Sequence, residues 1–127
     1  MRKSEIESRE MYLKAIYNIQ RYEHRNARPV DVSKYLEVSK ASVSEMVKKM
    51  RKQKLLVYKQ GTAIRLTKQG LIGARKVTHH YKVLEDFFKR VLKLSEERAA
   101  KEACDLEHFF ADDTITRLKR LTDTYSK

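Results

Sequence analysis

Cys104, Glu107 and His108 stand at positions i, i+3 and i+4 of a stretch whose apolar residues, Ala99, Ala103, Leu106 and Phe110, keep to one side. If that stretch is a helix, a thiolate, a carboxylate and an imidazole project from one stripe and can converge on one ion. Thiolate and imidazole together suit borderline transition metals rather than magnesium or calcium. The blander alternative for the same three residues is a small buried cysteine beside two solvated polar side chains. A catalytic cysteine–histidine pair fits less well. No third orienting group stands at an evident position, and the three glycines, at 61, 70 and 73, are too scattered to form an oxyanion nest. The chain does not read as an enzyme.

The elements that must hold these residues are helical. Ser95 can cap the helix that carries them, with Glu96 and Glu97 in the first turn, where acidic side chains are favoured. Asp112 or Asp113 can cap a last helix bearing Ile115, Leu118 and Leu121. Before them a long helix over residues 71–93 lines up Tyr81, Leu84, Phe87, Phe88, Val91 and Leu92; at 1.5 Å per residue it spans about 35 Å, the length of a connector. These apolar faces exceed what the rest of the chain can cover, so a two-fold partner, a homodimer, is expected.

The first part of the chain has a different grammar. A helix from Glu5 to about Tyr22 places Tyr12, Ala15, Ile16 and Ile19 on one side, widened by Leu13, Tyr17 and Gln20. His24, Arg25, Asn26, Ala27 and Arg28 break the pattern before Pro29, which tolerates a helix start. A short helix from Val30 to Leu36 precedes a tight connection through Glu37 and Val38 to Ser39, the N-cap of a third helix, Lys40 to Lys54. In that helix Val43, Met46, Val47 and Met50 form the apolar face, while its start offers small polar groups and its end a run of cations. This is the pattern of a DNA recognition helix. Residues 56–59 and 63–66, joined by Gln60-Gly61-Thr62, read as the two strands of a wing, with Val57, Ile64 and Leu66 facing in and Lys59 and Arg65 facing out. Base contacts are expected from Ser39, Lys40, Ala41, Ser42 and Glu45; phosphate contacts are expected from Lys48, Lys49, Lys59 and Arg65.

Charge follows the same division. Residues 1–80 hold 19 Lys and Arg against 7 Asp and Glu, and the remainder holds ten of each, so the whole net charge of +12 lies in the first part. A basic surface of this kind neutralises phosphates and releases counterions. A single cysteine excludes an intramolecular disulfide, and no apolar run approaches a membrane span, so a cytoplasmic location without membrane contact is expected.

With these features in place the chain resembles the metal-dependent repressors related to the diphtheria toxin repressor and the manganese transport regulator. The markers are Glu10-Met11-Tyr12-Leu13-Lys14-Ala15-Ile16-Tyr17, Val38-Ser39 followed by Ser42-Val43-Ser44, Leu66-Thr67 with Gly70, and above all Glu102-Ala103-Cys104-Asp105-Leu106-Glu107-His108. The resemblance runs from about Glu10 to Leu121. In iron-responsive members a methionine of the first helix joins a Cys, a Glu and a His of the fifth; the matching positions are Met11, Cys104, Glu107 and His108. The implied cofactor is a divalent transition metal, Fe(II) first, with Co(II), Ni(II), Zn(II) or Mn(II) as alternatives. Manganese-type members carry Asp and Glu where this chain has Met11 and Lys14. The ancillary positions of iron-type members correspond here to Tyr81, Glu85 and Ala100, of which only the carboxylate survives. Glu85 and His80 are weaker metal candidates, and His79 and His80 read as surface histidines.

The expected architecture is all-α with a small β-wing: a winged helix-turn-helix over 1–76, then a helical metal-binding and dimerisation domain over 77–127. The expected function is a dimeric, metal-activated repressor of metal-uptake genes on a palindromic operator in double-stranded DNA. The alternatives are a metal-independent or thiol-sensing winged-helix regulator and a non-specific architectural DNA-binding protein.

Overall fold

The apolar stripe of the first helix is buried along its length in the computed structural model, which describes residues 3–23 and 26–125. His24 and Arg25, where the helical pattern breaks, lie outside the described residues. Helix α1 (Lys3–Tyr22) buries Tyr12, Leu13, Ala15, Ile16, Tyr17 and Ile19. Helix α2 (Pro29–Leu36) starts on its proline, whose missing N–H costs nothing there, and the Arg28 N–H donates to the Asp31 carboxylate at 3.0 Å. It ends at Glu37, which takes the left-handed conformation at φ 57°. Ser39 then caps helix α3 (Lys40–Lys52), its Oγ accepting the Ser42 N–H at 3.1 Å. Val43, Val47 and Met50 are buried and Met46 packs beside them. Fully burying each such side chain is worth about 1.5–3 kcal/mol.

Helix α3 stops two residues before the Lys54 expected from sequence, because Lys54 turns to φ 62°. The wing is also shorter than expected. Strands β1 (Leu56–Val57) and β2 (Arg65–Leu66) pair antiparallel, Leu56 opposite Leu66 and Val57 opposite Arg65. Leu56 faces the core, and Val57, expected inside, is 54% exposed on the outward face beside Arg65. Gly61 closes the turn at φ 85°, which a side chain would strain. The wing's base is anchored where Ile64 donates its N–H to the Ala27 carbonyl at 2.7 Å and receives the Gln20 amide on its own carbonyl at 3.1 Å. A joint follows: the Thr67 hydroxyl donates to the Lys54 carbonyl at 2.7 Å and accepts the Gly70 N–H at 3.1 Å. A Cβ on Gly70 would sit 1.9 Å from the Leu55 carbonyl oxygen, so only glycine fits.

Packing divides the chain into two units, Met1–Arg75 and Lys76–Lys127. Helix α4 (Lys68–Arg90) begins and ends three residues earlier than expected, its C-terminal turn being closed by Lys93 at φ 59°. In the second unit helix α5 (Glu96–Leu106) and helix α6 (Asp112–Tyr125) complete a small core of Val83, Leu84, Phe88, Ala99, Ala103 and Ile115. Ser95 caps α5, accepting the Arg98 N–H at 3.2 Å. Asp112 lies in the first turn of α6 rather than at its cap.

Candidate metal centre and DNA interface

Helix α5 ends at Leu106, so the three candidate donors straddle its C-terminus instead of lying inside it. Cys104 is in the last turn and exposed. Glu107 is the C-cap, still helical enough for its N–H to reach the Ala103 carbonyl at 2.9 Å, and it is buried to 1% exposure. His108 follows in the turn with its side chain 2% exposed, and its Nε2 lies 3.3 Å from Glu107 Oε1. The burial is the reverse of the bland expectation: the carboxylate and imidazole are withdrawn from water and the thiol is not. A buried carboxylate must be paired, and here the imidazole is beside it. Among the described residues no group of three or more His, Cys, Asp or Glu side chains is gathered closely enough to hold an ion. The structure therefore brings Glu107 and His108 together, donors of types that suit a transition metal, with Cys104 exposed in the turn before them.

Glu85 and Tyr81 complete the surroundings. The Tyr81 hydroxyl donates to Glu85 Oε2 at 3.0 Å. Burial first, then that hydrogen bond and the negative field of Glu85, Cys104 and Glu107, hold the Tyr81 phenol above its ordinary value, so it stays a donor. His79 is exposed as expected, but His80 is not a surface histidine: it is 5% exposed. Its Nδ1 lies 3.3 Å from the Glu107 carbonyl oxygen and its Nε2 lies 2.9 Å from Asp112 Oδ1. The spacing held the signal, since Val77, His80, Leu84 and Phe88 share one face of α4 and all are buried.

Met11 belongs to the first unit. It is exposed at the edge of the α1 stripe, on an open depression shared with Met46, Ser42, Glu45 and Lys49, and is not core filler. Ser39, Lys40, Ala41, Ser42, Glu45, Lys48 and Lys49 are all exposed along the start and outer face of α3, as are Lys59 and Arg65 on the wing. Arg51, one of the run of cations at the end of α3, turns its guanidinium to the Tyr58 carbonyl at 3.3 Å and so ties that end of the helix to the wing. Phe110 and Leu118 pack on their own unit's core, whereas Leu92, Phe109, Leu121 and Tyr125 stay exposed.

Residues 6–64 match the family model described as iron dependent repressor, N-terminal DNA binding domain, and residues 67–127 match the iron dependent repressor, metal binding and dimerisation domain. The chain belongs to the iron-dependent repressor family. Its fold and its two-part design are those of metal-dependent, DNA-binding transcriptional repressors. An HTH-type transcriptional regulator of Methanocaldococcus jannaschii is 32% identical over 113 residues, covering 89% of this chain and 90% of the relative. The HTH-type transcriptional regulator MntR of Shouchella clausii is 31% identical over 120 residues, 94% of this chain and 82% of that one. Among solved structures, the manganese regulator SloR superposes with a TM-score of 0.79 at 29% identity over 91% of this chain. This repressor chain spans about half of that structure's length, 53%. No helix among the described residues is long and apolar enough to cross a membrane.

Proposed function

We propose that this iron-dependent repressor family member takes one divalent transition metal per chain, with Glu107, His108 and Cys104 of the second unit and Met11 of the first as ligands, and in that state represses metal-uptake genes. The observation that carries the reading is the Glu107–His108 pair, a carboxylate and an imidazole buried 3.3 Å apart at the end of α5. Thioether, thiolate and imidazole favour Fe(II), Co(II), Ni(II) or Zn(II) over Mn(II), and Fe(II) is the first choice. A bound ion would add positive charge beside this buried carboxylate and give its donors a fixed point. Cys104 gives up its thiol proton to take part, so uptake strengthens with rising pH. Support for Met11 is its place in the α1 motif together with its exposure. Glu85, held by Tyr81, remains a weaker candidate, and His80 is engaged by oxygens at both ring nitrogens.

On the DNA side Ser42 and Glu45 read base edges while Lys48, Lys49, Lys59 and Arg65 take phosphates. The dimer covers Phe109 and Leu121, and its two-fold axis matches a palindromic operator. Calorimetry of the metal-free chain with Co(II) tests the reading. Uptake near one ion per chain is expected, lost or strongly weakened in Cys104→Ala. No stoichiometric uptake would leave a regulator without metal control, and wild-type affinity without the thiol would remove Cys104 from the ligand set.

A further inference from the structure

The turn that carries His108 is held at both ends by one ring. The carbonyls that end a helix have no intrahelical donor, and the first turn of a helix favours a carboxylate. His80 uses both facts. Its Nδ1 is 3.3 Å from the carbonyl of Glu107, at the C-terminus of α5, and its Nε2 is 2.9 Å from the carboxylate of Asp112, at the N-terminus of α6. Lys76, one turn before His80 on α4, holds the other Asp112 oxygen at 3.4 Å. The ring itself is buried, while Asp112 is largely exposed. An exposed carboxylate gripped by a buried imidazole is an arrangement that fixes position, because the ring cannot follow a moving partner without leaving its packing.

We infer that His80 is the positioning residue of the metal centre: it clamps the α5–α6 turn from Glu107 to Asp112 onto α4, and so sets where the Glu107 and His108 side chains meet an ion. This rests on the ligand reading above. Groups that orient ligands in this way without touching the ion change metal affinity by roughly 10–100-fold when removed. His80→Leu keeps the volume and deletes both polar contacts of the ring; Asp112→Ala deletes one arm at an exposed position and leaves the packing alone.

The test uses the full chain in three forms. In the metal-free proteins, hydrogen exchange of amides 107–112 is measured, and it should quicken in both variants while the rest of α5 is unchanged. Co(II) titration then follows affinity and the visible d–d bands together. His80→Leu should weaken Co(II) roughly tenfold or more and shift the bands, and Asp112→Ala should do both to a lesser degree. If His80→Leu does not fold, Asp112→Ala decides alone. Folded variants with wild-type exchange, affinity and spectrum would overturn the clamp while leaving the ligand set standing. A wild-type chain that takes up no Co(II) would overturn the ligand set, and the clamp with it.

Discussion

The two units bury different things. The core of the first is apolar throughout, from Leu13 and Ile16 to Met50 and Ile64, and its charges lie outside. The second unit has a smaller apolar core, yet among the described residues every buried polar or charged one, His80, Glu107 and Thr122, belongs to it. Both units leave large apolar side chains in the open, Tyr22, Tyr35, Val57 and Ile72 among those of the first and Leu92, Phe109, Leu121 and Tyr125 in the second. A core without polar groups is the economical way to hold a recognition helix. A unit that buries a carboxylate gives up some stability for it.

This contrast breaks most readily in the first unit. Gly70→Ala drives a methyl group into the Leu55 carbonyl and should cost about 3 kcal/mol, as should Ile64→Ala by leaving a cavity. Urea unfolding should show both, with DNA binding lost in parallel. In the second unit the opposite is expected. Glu107→Gln removes a buried charge and should change the stability of the metal-free chain by less than about 1 kcal/mol, although metal uptake disappears. A Glu107→Gln protein as unstable as Ile64→Ala would mean that the carboxylate is structural.

Next in size is the partner surface. Phe109→Glu together with Leu121→Glu should halve the mass seen by light scattering without loss of helix, whereas Phe110→Glu should disturb the fold first because that ring packs on its own core. Smaller still are single phosphate contacts. Lys49→Ala or Arg65→Ala should weaken specific and random duplexes alike and lower the salt slope by about one, while Ser42→Ala and Glu45→Ala should change the preferred sequence. The smallest effect is at Tyr17. Burial pushes its phenol up, but hydrogen bonds from Arg21 and Arg75 and their positive charges outweigh that and bring it below its ordinary value. The folded chain therefore releases this proton more readily than the unfolded one, a contribution to stability that is fully present above the unfolded value and lost as pH falls through the folded one. Absorbance near 295 nm should show one tyrosine ionising early, and Arg21→Ala should delay it.

Much of the fold was legible because it rests on periodicity. The stripes of α1 and α3, the Ser39 and Ser95 caps and the proline start of α2 each follow from local chemistry, and the structure has them. The wing was misread by one residue: in strands this short, alternation cannot say which of Leu56 and Val57 faces in, and the anchor at Ala27 and Gln20 that decides it is distant in sequence. The adjacent histidines failed for the same reason: His79 and His80 differ only in which side of the backbone the core lies. The donors Cys104, Glu107 and His108 were visible by type and spacing. Their unequal burial was not, because it depends on α5 ending at Leu106 and on the turn held by His80.

The central claim is that DNA binding by the basic unit depends on metal held by the neutral one. A duplex recovered from a random pool in the presence of Co(II) gives the probe, and fluorescence anisotropy of the full chain on it, with Co(II) and again after chelation, gives the measurement. The wild-type chain should bind at least tenfold more tightly with Co(II), and Glu107→Gln should bind weakly and equally in both conditions. Equal, tight binding by the wild type with and without the metal would contradict the account.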